Sequence, residues 1–180
     1  MFAGSEWRLA AGALYSVLLV IACVTDVRWR RIPNVLVAVL AAAGFAFSVA
    51  VEPWWPGLLR ASTGLVLGFS IWIIFHVAGG MGAGDVKLFA AAGAWLGPAG
   101  AWRAALVAAL VGGVLSLAAL VWQRRTREGV ERVAMSLSMF SLAPLGKVSP
   151  GADRKAYLPY GVALACGALL TAWIPGLLAN

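Results

Sequence analysis

Seven acidic side chains are all that 180 residues offer for acid–base chemistry, and two of them stand apart. Asp26 and Asp85 each abut a run of apolar residues, where an ionisable group is costly to keep and needs a reason to be there. Glu6, Glu52, Glu128, Glu131 and Asp153 fall in polar connections or near the start of the chain, where a solvated surface position is the default. Two carboxyls brought around a single water do not both ionise cheaply, so one holds a proton while the other stays charged. The charged one can then act as a general base on that water, and the protonated one can polarise a carbonyl and later protonate a leaving amine. The pair titrates as a unit, so its composition does not say which member is the base. The bland alternative makes both acids boundary residues facing water and lipid headgroups.

Other chemistries have weaker candidates. His76, the single histidine, lies on an apolar stretch without Cys or acidic neighbours at ligand spacing. Cys23 and Cys166 are lone thiols inside apolar runs and read as small hydrophobes. Neither a metal nor a cofactor is expected.

The elements that must position the two acids belong in lipid. The chain is 62% hydrophobic and 12% charged, with a mean hydropathy of +0.90, which excludes a soluble domain. Six apolar segments run from Leu9 to Thr25, Val35 to Val51, Gly57 to Ala78, Val86 to Leu96, Ala101 to Trp122 and Leu158 to Leu178. Most match the about 17 to 25 residues that a hydrocarbon core demands of a helix. The fourth is short, because about eleven residues before Gly97 and Pro98 reach only ~17 Å. It crosses obliquely, begins inside the preceding Gly-rich stretch, or stops short. The expected fold is an all-α integral membrane protein of six transmembrane helices. It forms a single polytopic domain over residues 1–180, with loops at about 26–34, 79–87 and 123–157 on one side.

Charge sets the orientation. The net charge is +7, yet the basic residues sit in gaps between apolar runs rather than on a soluble face interleaved with aromatics, so nucleic acid is not an expected partner. Of 14 Lys and Arg, all but Arg8, Arg60 and Arg103 lie in the first, third and fifth connections. The positive-inside rule therefore puts the N-terminus outside, those three loops in the cytoplasm, and both Asp26 and Asp85 at the cytoplasmic boundary. Trp7, Trp54, Trp55, Trp102 and Trp173 suit the outer interface, and Trp29 and Trp122 the inner one. The first apolar run is expected to remain as a span rather than be cleaved as a signal, because Arg28, Arg30 and Arg31 follow it. Between Gln123 and Tyr157, Val130, Val133, Ala134, Leu137 and Phe140 at helical spacing predict a helix on the inner membrane surface, a merely solvated basic loop being the alternative.

Local sequence around the two acids is unusual. Asp85 closes Gly79-Gly80-Met81-Gly82-Ala83-Gly84-Asp85, whose glycines remove side-chain bulk beside the acid and permit close backbone approach. Asp26 opens Asp26-Val27-Arg28-Trp29-Arg30-Arg31-Ile32-Pro33-Asn34, where Pro33 biases Ile32 away from helix and Asn34 is a good N-cap for the second span. Gly64, Gly68, Gly112, Gly113, Gly161 and Gly167 are expected to permit close helix contact.

Asp26 followed by Arg31-Ile32-Pro33-Asn34, then Gly82-Ala83-Gly84-Asp85-Val86-Lys87-Leu88, and finally Pro159-Tyr160-Gly161-Val162-Ala163, together resemble the type IV prepilin peptidases. The closest form is the short one found with tight-adherence, or Flp-type, pilus systems. The resemblance implies a Gly-x-Gly-Asp membrane aspartic protease with six helices and no metal, cleaving leader peptides of prepilins or pseudopilins at the cytoplasmic face of the inner membrane. Asp26 and Asp85 match its catalytic aspartates, and Gly82, Gly84, Lys87, Pro33 and Asn34 fall in its motifs as supporting residues. Presenilin-like proteases share Gly-x-Gly-Asp but pair it with Tyr-Asp, whereas Thr25 precedes Asp26. Long members of the family carry an N-terminal segment associated with N-methylation, often with two Cys-x-x-Cys pairs, which this sequence lacks, so methylation is not expected. The rival readings are a small proton-coupled transporter using the same acids as a relay, and a non-catalytic subunit of a secretion complex.

Overall fold

A computed structural model describes residues 2, 5–78, 81–122 and 160–174. These form five helices: α1 Glu6–Trp29, α2 Asn34–Val51, α3 Trp54–Val77, α4 Ala83–Trp122 and α5 Tyr160–Trp173. The helix expected on the inner surface between Val130 and Phe140, the rest of that connection, Gly79, Gly80 and Pro159 lie outside the described residues.

The chain is helical where the apolar runs demand it, and its ends follow local chemistry. Arg30 stops α1 in the left-handed region, φ 51° and ψ 34°, and its N–H returns to the Asp26 carbonyl at 2.7 Å. Pro33 and Pro53 precede α2 and α3, and Pro56 sits in the first turn of α3, where a missing N–H costs no helical hydrogen bond. The fourth and fifth apolar segments are the two arms of α4, interrupted at Gly97, which adopts φ 71° and ψ 178° just before Pro98. The first arm begins at Ala83, inside the Gly-rich stretch, and its about 14 residues reach roughly 21 Å.

Gly97 reverses the chain. Asp85, at the start of the first arm, faces Gly161, while Gly112, well along the second arm, faces the neighbouring Tyr160. Both outer ends of α4 therefore lie at the same end of the molecule, and the two arms form an antiparallel helical hairpin. Six rods run up and down in turn: α1, α2, α3, the two arms of α4, and α5. By length and composition, α1, α2, α3 and the 83–115 stretch of α4 are candidates to cross a membrane, and α5, with 14 described residues, is a shorter apolar helix. Four candidates stand where six spans were expected, because the fourth and fifth expected spans are the two arms of α4 and the sixth, α5, has only 14 described residues.

The break is held from outside. The carbonyls that end the first arm have no intrahelical partners. Arg60 on α3 donates from Nη2 to the Trp95 and Leu96 carbonyls at 3.2 and 3.3 Å, and Ser48 Oγ on α2 donates to the Ala94 carbonyl at 3.0 Å. Arg60 also donates to Ser48 Oγ at 3.2 Å and pairs with Glu52 at 3.4 Å. Sequence alone counted Arg60 among the few charges on the outer side and Glu52 as solvated; the two meet in this clamp.

Large apolar side chains such as Val35, Val66, Ile74, Leu110 and Val114 face outward, and much of the interior is alanine and glycine. That inversion suits a chain whose surroundings are apolar and whose helices associate by close backbone approach. The Gly64 and Gly93 backbones of α3 and α4 touch with no room for a Cβ on either. The chief large residue inside is Trp95, 1% exposed, whose ring lies 5.1 Å from Tyr15 and 5.2 Å from Phe47 by centroid. Its Nε1 donates to the Leu40 carbonyl at 2.7 Å, and Gly44 leaves the space its ring occupies. The named interfacial tryptophans among residues with described side chains, Trp7, Trp29, Trp54, Trp55, Trp102 and Trp173, are all exposed.

Trp95→Phe keeps the ring contacts but loses the bond to Leu40, so thermal unfolding in detergent should show a loss of about 1 kcal/mol. Trp95→Ala should cost about 3–5 kcal/mol in the same measurement.

Candidate active site

Asp26 lies in the last turn of α1 and Asp85 in the first turn of α4, so both acids sit at the same end of the rods. Asp85 is the third residue of its helix, after Gly82 at the cap position. The Asp85 N–H donates to the Gly82 carbonyl at 3.1 Å, and the Asp85 carboxyl folds back over the Gly82 backbone. This arrangement resembles a capping box, at a helix start whose first N–H donors have no helical partner. Oδ2 is the oxygen on the Gly82 side. Asp26 has no such donor on its own helix, whose C-terminus presents carbonyls. The backbone amide of Gly161, in the first turn of α5, stands beside its carboxyl.

The other oxygen of each carboxyl is the informative one. Asp26 Oδ2 and Asp85 Oδ1 are both buried and have no hydrogen-bond partner. They flank the same glycine: a Cβ built on Gly161 would lie 2.6 Å from Asp26 Oδ2 and 3.3 Å from Asp85 Oδ1. One point within those distances of both oxygens limits their separation to under about 6 Å, a gap that one water bridges with two ordinary hydrogen bonds. Asp85 is 9% exposed and Asp26 half-buried, so the oxygens meet in an environment largely screened from bulk water.

The expected supporting residues explain how the helix ends are joined. Ile32 packs on Gly84, where a Cβ would meet its own Cβ at 3.4 Å, so the short connection after α1 is seated on the start of α4. Asn34 was expected to cap α2. It is instead the first residue of that helix, with Pro33 at the cap position and no capping side-chain bond, and its Oδ1 accepts from Lys87 Nζ at 3.5 Å. A side-chain acceptor next to a proline is an N-cap signal in sequence, but here Pro33 takes the extended cap conformation and turns Asn34 toward α4. Gly82 is part of the cap that holds Asp85. His76 Nδ1 lies 2.9 Å from the Met81 carbonyl. Among the described residues no group of three or more His, Cys, Asp or Glu side chains could hold a metal ion.

Gly161 is the residue that composition and spacing left as a helix-packing glycine. The signal that pointed to it was its place in the third motif, Pro159-Tyr160-Gly161. Cys23, one turn before Asp26, also packs on this glycine, with Sγ 3.9 Å from the Gly161 carbonyl.

Residues 13–117, which include Asp26 and Asp85, match the model of the type IV leader peptidase family. Three similar curated proteins are each a prepilin leader peptidase/N-methyltransferase. That of Xanthomonas campestris pv. campestris is 36% identical over 117 residues, 62% of this chain and 41% of the relative. That of Bacillus subtilis is 33% identical over 123 residues, 67% and 49% of the two chains. That of Dickeya chrysanthemi is 33% identical over 145 residues, 73% and 49%. The chain thus spans less than half the length of each of these relatives. No solved structure matches it significantly.

Carboxyls this close act on one another, so their removal should not be additive. In detergent unfolding experiments, the stability change of the Asp26→Asn/Asp85→Asn double variant should differ from the combined single changes by at least about 0.5 kcal/mol. Simple additivity would contradict the convergence of the two side chains.

Proposed function

The chain belongs to the type IV leader peptidase family, and on that premise we propose that it is a membrane aspartic endopeptidase that removes leader peptides from type IV prepilins or pseudopilins. The observation that carries this reading is the convergence of two unpartnered carboxyl oxygens, Asp26 Oδ2 and Asp85 Oδ1, beside one glycine. Flp-type prepilins are the substrates we put first, on the strength of the three motifs and their order.

In this mechanism the pair shares one proton. The ionised carboxyl takes a proton from a water between the two, the water oxygen adds to the scissile carbonyl carbon, and the protonated carboxyl gives its proton to the carbonyl oxygen. The tetrahedral gem-diol then collapses: its C–N bond breaks, the amine leaves with a proton from the pair, and one hydroxyl of the adduct gives its proton back to the pair as the new carboxylic acid forms, which restores the shared-proton state. The backbone amides of Gly82 and Gly161 stand beside the carboxyls, leaving the facing oxygens for this exchange. Pre-oriented groups spare the reorganisation that water would otherwise undergo.

Residues 1–180 act as one polytopic domain in the inner membrane, with the six rods crossing in turn and the N-terminus outside. What supports this is the clustering of Arg28, Arg30, Arg31 and Lys87 at the dyad end of the rods, with Arg8, Arg60 and Arg103 toward the other. The substrate helix diffuses laterally in the bilayer and presents its leader junction to the dyad at the cytoplasmic boundary. A dyad at helix ends favours this over a transport relay, whose site belongs near the midplane within broken helices.

Asp26→Asn and Asp85→Asn should each abolish processing of a co-expressed or reconstituted prepilin while the protein still accumulates in the membrane. Full processing by either variant counts decisively against the dyad. Single cysteines at positions 31 and 54 should be labelled by impermeant reagent from the cytoplasmic and outer side respectively; the reverse pattern would overturn the orientation.

A further inference from the structure

Gly161 lies against both carboxyls, and its two contributions are separable. Its backbone amide stands beside Asp26, whose own helix end presents carbonyls. Its missing side chain leaves the space in which Asp26 Oδ2 and Asp85 Oδ1 face each other. The packing of the helices makes this placement decisive. α1 and α4 both pack on α5, so the start of α5 brings backbone to both acid-bearing turns. Gly161 is buried, and Asp85, whose unpartnered oxygen points at it, is 9% exposed. A glycine kept only for helix packing would meet backbone or apolar atoms, as Gly167 meets the Ala104 carbonyl and Ala108. Gly161 instead meets two carboxyl groups.

We propose that Gly161 is a positioning residue of the dyad: its lack of a Cβ lets Asp26 keep Oδ2 turned toward Asp85 and keeps the space between the two oxygens open to the water and the scissile carbonyl. This rests on the aspartic reading above. A Cβ at this position meets the tip of a flexible side chain rather than backbone, so Asp26 can swing aside and the fold can survive. The damage then falls on catalytic geometry. A displacement of an ångström or so at a reacting group costs on the order of a hundred-fold in rate.

The test compares Gly161→Ala with wild type and with Gly113→Ala, whose Cβ would meet nothing within 4 Å. All are purified in detergent and assayed with a prepilin substrate. Gly161→Ala should lower kcat per folded molecule by about a hundred-fold with KM within about two-fold and a melting temperature within about 4 °C of wild type. Gly113→Ala should keep wild-type kcat. Wild-type kcat in Gly161→Ala, or activity lost only in proportion to unfolded protein, overturns the role. Should Gly161→Ala fail to accumulate, Asp26→Ala/Gly161→Ala decides: recovery of folded protein supports the carboxyl as what the new methyl meets, and continued failure overturns it. An active Gly161→Ala beside an inactive Asp26→Asn removes Gly161 from the site and leaves the dyad standing, whereas an active Asp26→Asn removes the dyad itself.

Discussion

A buried carboxyl needs a donor, and in this protein each of the two has a backbone amide from the start of a helix beside it. The first N–H groups of any helix have no partner within it. The amide of Gly82, just before its own helix, stands beside Asp85, and that of Gly161, in the first turn of α5, stands beside Asp26. One oxygen of each acid is left unpartnered, and the two face across a single glycine. An amide donor cannot titrate or change rotamer, so it fixes a carboxyl more firmly than a lysine or a hydroxyl would. The price is that the starts of α4 and α5 must arrive at the end of α1 with little tolerance.

The rest of the fold supplies that tolerance. Glycine pairs bring backbones into contact where larger residues would hold them apart, most closely at Gly64 and Gly93. The reversal at Gly97 returns the second arm of α4 to the dyad end, where Gly112 lies against Tyr160 beside the critical glycine. At the opposite end the Arg60 guanidinium and the Ser48 hydroxyl hold the carbonyls where the first arm stops. That arm is thus anchored at both termini, by a clamp at Gly97 and by the Ile32 and Asn34 contacts near Asp85. Trp95 fills the middle, and a short rigid rod with pinned ends carries one of the two acids.

Rigid scaffolding of this kind also fits the surroundings. In lipid there is little hydrophobic gain in burying a leucine rather than exposing it, so the bulky aliphatics face out and association depends on close contact and on polar bonds. The polar bonds present are concentrated at the two ends of the rods: the dyad and its amides at one, the Arg60 clamp at the other. The segment matching the leader peptidase family contains both acids and the whole clamp, while Gly161 lies beyond it.

Much of this was legible in the sequence. Apolar length located every described helix, adjacency to apolar runs set Asp26 and Asp85 apart from the other five acids, and the three motifs pointed to the family. Those are properties of single segments: hydropathy, periodicity and residue type are local, and a membrane makes them strict. The Asn34 side chain was misread for the same reason, since its local chemistry fits a cap and only its neighbour Lys87, distant in the chain, diverts it. Arg60 looked like an outer-side charge until the end of another helix needed its donors, and Gly161 looked like any packing glycine until two carboxyls were placed beside it. Such roles arise when segments remote in sequence come within hydrogen-bonding distance, and it is three-dimensional packing, with its demand that every buried polar group find a partner, that decides them.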